Sequence, residues 1–329
     1  MASLDGETGD KKKTYKRATC AALLFFSVSS TLCAQASKSL DGSYAYDTFV
    51  IPFAAESLKC VVSIALECGT GGSLKGSEFK VQRFLTFSIP AACYFVSNNC
   101  MFYIIRELGG VTFQVTNNLK ILSTGLLMRL FLGRKLTWLQ WKALVILAVG
   151  CAVTQFKSCQ RDDAKISPDQ NFLRQAFGYM MIFLNAFASG TGGVVSEKLL
   201  KGSRQTQESI HVQNAQLYLF GAVFGFVAIR YNNLSKSSDE GERHSYGVLS
   251  MFEGFNSYAF STVLSLAASG LLVSFILKYM DNFVKCFVAA VSMLLVALFD
   301  ALMRDEQPTL QLFCGVTLTC LALEQYYFS

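Results

Sequence analysis

Long apolar runs separated by short polar segments dominate the chain. Each run is close to the roughly 20 residues that an α-helix needs to cross the hydrocarbon of a bilayer. Several connections between the runs are so short that neighbouring helices must be antiparallel hairpins. The pattern therefore predicts an all-α polytopic membrane protein with ten transmembrane helices, at 18–36, 46–66, 84–105, 111–132, 138–156, 174–197, 211–230, 251–277, 281–303 and 309–328.

Composition agrees with a membrane location. Of the 329 residues 52% are hydrophobic and 16% are charged, and the mean hydropathy is +0.37. Lys and Arg are unevenly divided between the two sides that ten helices create, with roughly fifteen on the side of the N-terminus and roughly ten on the other. This excess predicts that both termini are cytoplasmic, and it accounts for most of the net charge of +6. No basic face suits nucleic acid, so no such partner is expected.

The polar segment in the middle divides the chain into two sets of five helices. An odd number of helices in each set gives the two sets opposite orientations, which is the arrangement of inverted-repeat transporters. The predicted divisions are a cytoplasmic N-terminal tail at 1–17, a first five-helix repeat at 18–156, a lumenal connecting loop at 157–173 and a second five-helix repeat at 174–329.

Lys120 lies near the middle of an otherwise uncharged run from Val111 to Met128. A charge at that depth costs roughly 2.5–3.5 kcal/mol, so it is expected to face a wet cavity or an anion. Asn117 and Asn118 belong to a polar stripe on the same helix, which would be costly in contact with lipid. The stripe predicts a path for a negatively charged solute.

The third predicted helix carries an aromatic ring and amides that suit a nucleotide. Tyr94 and Asn98 are four residues apart and share a helix face, and Asn99 is adjacent. The ring and the amides are expected to contact a base, while the ammonium of Lys120 contacts phosphate. The alternative for Asn99 and Asn118 is that their amides only form hydrogen bonds with neighbouring helices.

Other polar positions admit two interpretations each. Glu56 and Lys59 are three residues apart and form an ion pair, or Glu56 holds a cation in the transport pathway until substrate displaces it. Ser189 and Gly192 let a ligand approach the backbone of the sixth helix, or they only allow close helix packing.

The second half of the chain adds two polar groups. Asn214 and Tyr218 share a face of the seventh predicted helix. The favoured interpretation of the junction between the eighth and ninth helices is a solvated turn. Lys285 is the exception, because it lies far enough inside the ninth helix to contact a solute in the pathway. The residues of this junction are Lys278, Tyr279, Asp281, Asn282 and Lys285.

Nothing in the sequence resembles a catalytic set. No HExxH, GxSxG or Walker pattern occurs, and two histidines leave little room for acid–base catalysis. The eleven cysteines show no metal-ligand spacing and are interpreted as small packing residues. We therefore expect a protein that is not an enzyme, with no metal and no cofactor.

Taken together and in order, the motifs of this chain resemble those of nucleotide-sugar transporters in the drug/metabolite transporter superfamily, within the branch of CMP-sialic acid and UDP-galactose transporters. The resemblance runs over nearly all of the chain, and Asn117-Asn118 looks more like plant and algal members than like animal ones. The motifs that carry it are Ala55–Lys59, Tyr94 with Asn98 and Asn99, Phe113–Thr116 with Leu119–Ile121, Leu139–Trp141, Ser196–Lys198, Asn214 with Gln216 and Tyr218, and Lys278–Asn282.

The resemblance implies a ten-helix carrier of the Golgi membrane that exchanges a cytosolic nucleotide sugar for the matching lumenal nucleoside monophosphate. Lys278 matches a family position near phosphate and sugar. The other positions of this chain that match nucleotide-holding positions of the family are Tyr94, Asn98, Lys120, Ser189, Asn214 and Tyr218.

The expected function is thus a Golgi antiporter for a CMP-sialic acid-like or UDP-galactose-like nucleotide sugar against lumenal CMP or UMP. Alternating access would occur by rocking of the two repeats about a central site. The rival functions are export of another small metabolite on the same fold and a multispanning membrane transferase. An endoplasmic reticulum location and a homodimer are left open.

Overall fold

The computed structural model describes residues 2–38, 44–69, 81–108, 118–154, 172–202, 208–240, 251–303 and 310–327, and within these ranges the secondary structure is helical with no strand. The helices are α1 (Ala2–Ala36), α2 (Val50–Gly69), α3 (Val81–Thr86), α4 (Ser88–Leu108), α5 (Leu119–Leu132), α6 (Trp138–Thr154), α7 (Phe172–Gly202), α8 (Ile210–Glu240), α9 (Ser257–Tyr279), α10 (Asn282–Met303) and α11 (Leu310–Tyr327).

The all-helical prediction is confirmed for the described residues, and each predicted apolar run contains one long helix. Five segments are long and apolar enough to cross a membrane, although they qualify by length and composition alone. They are Lys13–Ala36, Ala176–Gly202, Ile210–Asn232, Ser257–Tyr279 and Asn282–Phe299. The ten-span topology and its five-plus-five repeat stay predictions.

Helix ends differ from the predicted runs where local chemistry stops or interrupts a helix. The run at 84–105 is broken at Phe87, because Pro90 has no N–H to donate to the carbonyl of Thr86 and its ring crowds that carbonyl. The run at 251–277 becomes helical only at Ser257, where the side chain of Asn256 accepts a hydrogen bond from the backbone N–H of Ala259 at 2.8 Å.

The first compact unit comprises Met1–Ala91 and Leu199–Met280. Within it α2 packs against α8 and α9, and α1 packs against α9. Its core is a set of small apolar clusters, one of which joins Phe87 and Ala91 to Leu217 and Tyr218 of α8.

The second compact unit comprises Ala92–Lys198 and Asp281–Ser329. Within it α6 packs against α11, α5 against α6, α10 against α11, and α5 against α10. α6 also packs against α10, whereas no comparable contact joins α5 to α11 within the described residues, so exchanging α5 with α10 and α6 with α11 reproduces only part of the packing. Each compact unit contains helices from both halves of the sequence. The two predicted repeats are therefore not the two compact units.

The crossing of α6 and α11 depends on two glycines that face each other. A Cβ on Gly150 would lie 2.9 Å from the Cβ of Leu318 and 3.4 Å from the carbonyl oxygen of Gly315. A Cβ on Gly315 would lie 2.9 Å from the carbonyl oxygen of Gly150 and would overlap Cγ2 of Thr154. Only hydrogen fits at either position, because the backbones approach too closely for a methyl group.

Replacement of either glycine by alanine should therefore destabilise the second unit. We expect Gly150→Ala and Gly315→Ala each to lower the free energy of unfolding by about 1–3 kcal/mol through overpacking. Gly69→Ala is the matched control, since a Cβ at Gly69 meets nothing within 4 Å. The measurement is the apparent melting temperature in detergent, and unchanged melting of both crossing variants would contradict the close contact.

Candidate functional site

Lys120 lies in the first turn of α5 and is half-buried. The helix continues for twelve residues to Leu132, a rise of about 18 Å along its axis. Asn117 and the rest of 109–117 are outside the described residues.

A second lysine, Lys285, lies in the first turn of α10 and contacts Tyr94 of α4. Its Nζ donates to the hydroxyl of Tyr94 at 3.4 Å and lies 5.2 Å from the ring centroid. The other neighbour of this ring is Gly192 of α7, where a Cβ would lie 3.1 Å from Cε1 of Tyr94. The absence of a side chain at Gly192 thus lets the ring of Tyr94 lie against the α7 backbone.

The charges of Lys120 and Lys285 act on each other, and both also act on the thiol of Cys286, which is hydrogen-bonded to Thr124. Among the residues that the structure describes, no carboxylate forms an ion pair with either lysine. Two like charges in one low-dielectric region repel each other and require a counter-charge. The arrangement is therefore suited to an anion that enters from outside the protein.

The remaining predicted residues of this unit differ in their surroundings. Asn98 is exposed, and Ser189 is half-buried. Asn99 donates from Nδ2 to the carbonyl oxygen of Phe95 at 2.8 Å, within its own helix. That bond is not the contact with a neighbouring helix that the alternative for Asn99 describes, and it leaves the amide oxygen available to a ligand.

The junction before α10 is not a solvated turn, and that interpretation is corrected. Asp281 accepts from Arg134 at 2.9 Å through one carboxylate oxygen and from the backbone N–H of Val284 at 3.0 Å through the other. The buried carboxylate of Glu197 accepts from the backbone N–H of Asn282 at 2.9 Å. Two acidic residues thus occupy the N-terminus of α10, where a helix dipole favours negative charge.

In the first unit, the predicted pairing of Glu56 with Lys59 is confirmed by an Nζ–Oε1 distance of 2.6 Å. The same ammonium lies 4.3 Å above the ring of Tyr218. The hydroxyl of Tyr218 donates to the carbonyl oxygen of Gly270 at 3.0 Å and lies 2.6 Å from the hydroxyl of Ser274. This cluster joins α2, α8 and α9 through polar contacts.

The start of α8 carries buried amides that sequence reasoning recognised only in part. Asn214 and its neighbour Gln213 are both 0% exposed, and neither side-chain nitrogen nor oxygen has a hydrogen-bond partner within the described ranges. No sequence signal separates a paired amide from an unpaired one, which is why Gln213 was missed. Lys278 ends α9, half-buried, within electrostatic reach of Glu208, which is ion-paired with Arg83 at 3.1 Å.

A helical membrane protein with two lysines that lack acidic partners among its described residues, one of them against the ring of Tyr94, has the features expected of a carrier for an anionic solute. Comparison with known proteins makes the class specific. The family model for nucleotide-sugar transporters matches residues 11–327. The chain belongs to the nucleotide-sugar transporter family.

Individual relatives agree with this family. CMP-sialic acid transporter 1 of Arabidopsis thaliana is 34% identical over 87% of this chain and 82% of its own length. The protein of the same name from Oryza sativa subsp. japonica is 33% identical over 87% and 86%. The UDP-N-acetylglucosamine transporter of Rattus norvegicus is 32% identical over 75% and 72%. A solved crystal structure shares the fold, with a TM-score of 0.65 over 95% of this chain and 98% of its own at 13% identity.

The two roles of Asp281 can be separated by substitution. Asp281→Ala removes the N-cap and the partner of Arg134, and it should lower the free energy of unfolding by about 1–2 kcal/mol. Asp281→Asn keeps an N-cap acceptor and loses only a partly exposed ion pair, which contributes at most about 1 kcal/mol. Apparent melting temperatures should therefore fall in the order wild type, Asn, Ala. Equal losses would show that the charge matters and the cap does not.

The pair of Glu56 and Lys59 gives a second stability test. Glu56→Ala leaves Lys59, which is 7% exposed, without its counter-charge, and we expect a loss of about 2–3 kcal/mol in the free energy of unfolding. The double variant Glu56→Ala/Lys59→Met removes the unpaired ammonium as well and should recover most of that loss. Thermal melting of the two variants checks this, and a double variant no more stable than Glu56→Ala would contradict it.

Proposed function

We propose that the protein is a Golgi antiporter that exchanges a cytosolic pyrimidine nucleotide sugar for lumenal CMP or UMP by alternating access. The observation that carries the proposal is the pair of lysines, Lys120 and Lys285, without an acidic partner among the described residues. The relatives support this class of substrate, because the CMP-sialic acid and UDP-N-acetylglucosamine in their names are both pyrimidine nucleotide sugars.

The phosphate of the substrate supplies the missing negative charge. Lys120 and Lys285 each lie in the first turn of a helix of the second unit. Charge-assisted hydrogen bonds from ammonium to phosphate are short and strong. Tyr94, which contacts Lys285, is then adjacent to the phosphate and available to the nucleoside.

Exchange rather than one-way transport follows from the same charges. The empty carrier holds two ammonium groups that repel each other, so a change of conformation without a bound anion is costly. A nucleotide sugar and a nucleoside monophosphate both bring phosphate, so either species neutralises the site and permits the change. A neutral metabolite does not, which argues against the rival exporter function.

The remaining roles follow the family resemblance. Asn98, Asn214 and Tyr218 are each proposed to contact the nucleoside, and Tyr218 also fixes α8 against α9 through its hydroxyl. Lys278 attracts the anion from the cytoplasmic side, on which both termini lie. The further residues proposed from the sequence are Asn99, Asn117, Ser189 and Gly192 at the substrate, and Glu56 with Lys59 along the pathway.

Lys120→Ala should abolish exchange of nucleotide sugar for CMP in proteoliposomes. The loss of a charge-assisted contact of about 1.5–3 kcal/mol corresponds to CMP binding weaker by about 10- to 100-fold. Lys285→Ala should weaken binding similarly. The measurements are uptake of radiolabelled nucleotide sugars into vesicles preloaded with CMP, UMP or GMP, and thermal shift with the same nucleotides.

Lys142→Ala is the matched control for these variants. Lys142 is exposed on α6, where its ammonium lies 5.6 Å from the ring centroid of Trp138. This control should transport like the wild type, and all three variants should elute as the wild type does on size exclusion. Retained exchange in a folded Lys120→Ala protein would overturn the proposed role of Lys120. Uptake by the wild type that does not depend on preloaded nucleotide would overturn antiport.

A further inference from the structure

The first two turns of α8 hold an unusual group of polar atoms. Gln213 and Asn214 are fully buried, and all four of their side-chain amide atoms lack partners within the part of the chain that the structure describes. Oε1 of Gln216, one turn beyond Gln213, is also buried and unpaired. These amides lie within two turns of one helix, a length of about 10 Å.

Unpaired amides are costly to bury, so the fold does not retain them for stability. Their missing partner must satisfy both kinds of amide atom. The nitrogens of Gln213 and Asn214 need acceptors, whereas the oxygens of Gln213, Asn214 and Gln216 need donors. A fully ionised phosphate group supplies acceptors only. The edge of a nucleobase supplies donors and acceptors side by side.

We propose that Gln213 is a nucleobase-binding residue that acts beside Asn214. This inference rests on the proposed function, because it concerns the base of the nucleotide that the protein is proposed to carry. Asn214 already has a place in the proposed nucleoside pocket, whereas Gln213 has none from the sequence. Gln213 shares its face of α8 with Leu217, whose apolar cluster offers no hydrogen-bond partner for an amide.

The amide group at Gln213 is suited to both pyrimidine bases. Cytosine presents an amino donor beside a ring-nitrogen acceptor, and uracil presents a ring N–H donor between two carbonyl acceptors. A carboxamide presents its donor and its acceptor in either order after a half-turn about its last torsion. The same residue therefore accommodates CMP and UMP without a change in the protein backbone.

The test compares nucleotides with ribose 5-phosphate, which has the sugar and the phosphate but no base. Purified full-length protein in detergent is titrated with CMP, UMP and ribose 5-phosphate, and the thermal shift is measured for the wild type, Gln213→Leu and Gln213→Met. Both substitutions should weaken CMP and UMP binding at least tenfold and leave binding of ribose 5-phosphate unchanged. The apo variants should melt at a higher temperature than the apo wild type, because an unpaired buried amide has been removed.

Thr319→Val is the matched control, since Thr319 of α11 is 1% exposed and its hydroxyl is likewise unpaired. It should leave the CMP shift unchanged. If the folded Gln213 variants bind CMP as the wild type does, the role of Gln213 is overturned while the proposed function stands. The same holds if their apo melting temperature falls and the CMP shift is unchanged. Failure of both variants to fold would assign Gln213 a structural role and overturn it too. A wild-type protein that binds none of the three probes would instead overturn the proposed function.

Discussion

The repulsion between two ammonium groups is the constraint on which the functional interpretation of this structure depends. Lys120 and Lys285 are far apart in sequence, yet α5 and α10 bring their charges into one region of the second unit. The neighbouring groups are a phenol and a thiol, which do not cancel two positive charges. Glu56 and Arg134, by contrast, have partners of opposite charge in Lys59 and Asp281. The ion-paired residues thus stabilise the fold, whereas the two lysines are proposed to bind an anionic solute.

Much of the fold was predictable from sequence, because the length and hydropathy of an apolar run determine a membrane helix almost independently of its neighbours. The exceptions depend on single residues. Pro90 interrupts its helix at Phe87, and Asn256 delays the start of α9. A proline that interrupts a helix and an asparagine that caps one are known signals. They do not show in the hydropathy pattern, which depends only on the run of apolar residues.

The candidate site was predictable in its residue types and less so in its partners. Lys120 attracted attention because a charge in a long apolar run is rare. Its proximity to Lys285 could not be inferred, since pairing between distant helices leaves no local mark in one sequence. Arg134 was missed because a cation between two helices is ordinary, and its contact with Asp281 appears only in three dimensions. The unpaired state of Gln213 likewise exists only once the helices are assembled.

The glycine crossing of α6 and α11 has a mechanical consequence. Where Gly150 and Gly315 meet, Leu318 and Thr154 fill the space that a Cβ on each glycine would need. Each glycine is thus a notch that holds a side chain of the other helix, so neither rotation nor sliding of the two helices is possible without displacing Leu318 or Thr154. α6 and α11 therefore form a rigid pair, which moves as one piece in any change of conformation.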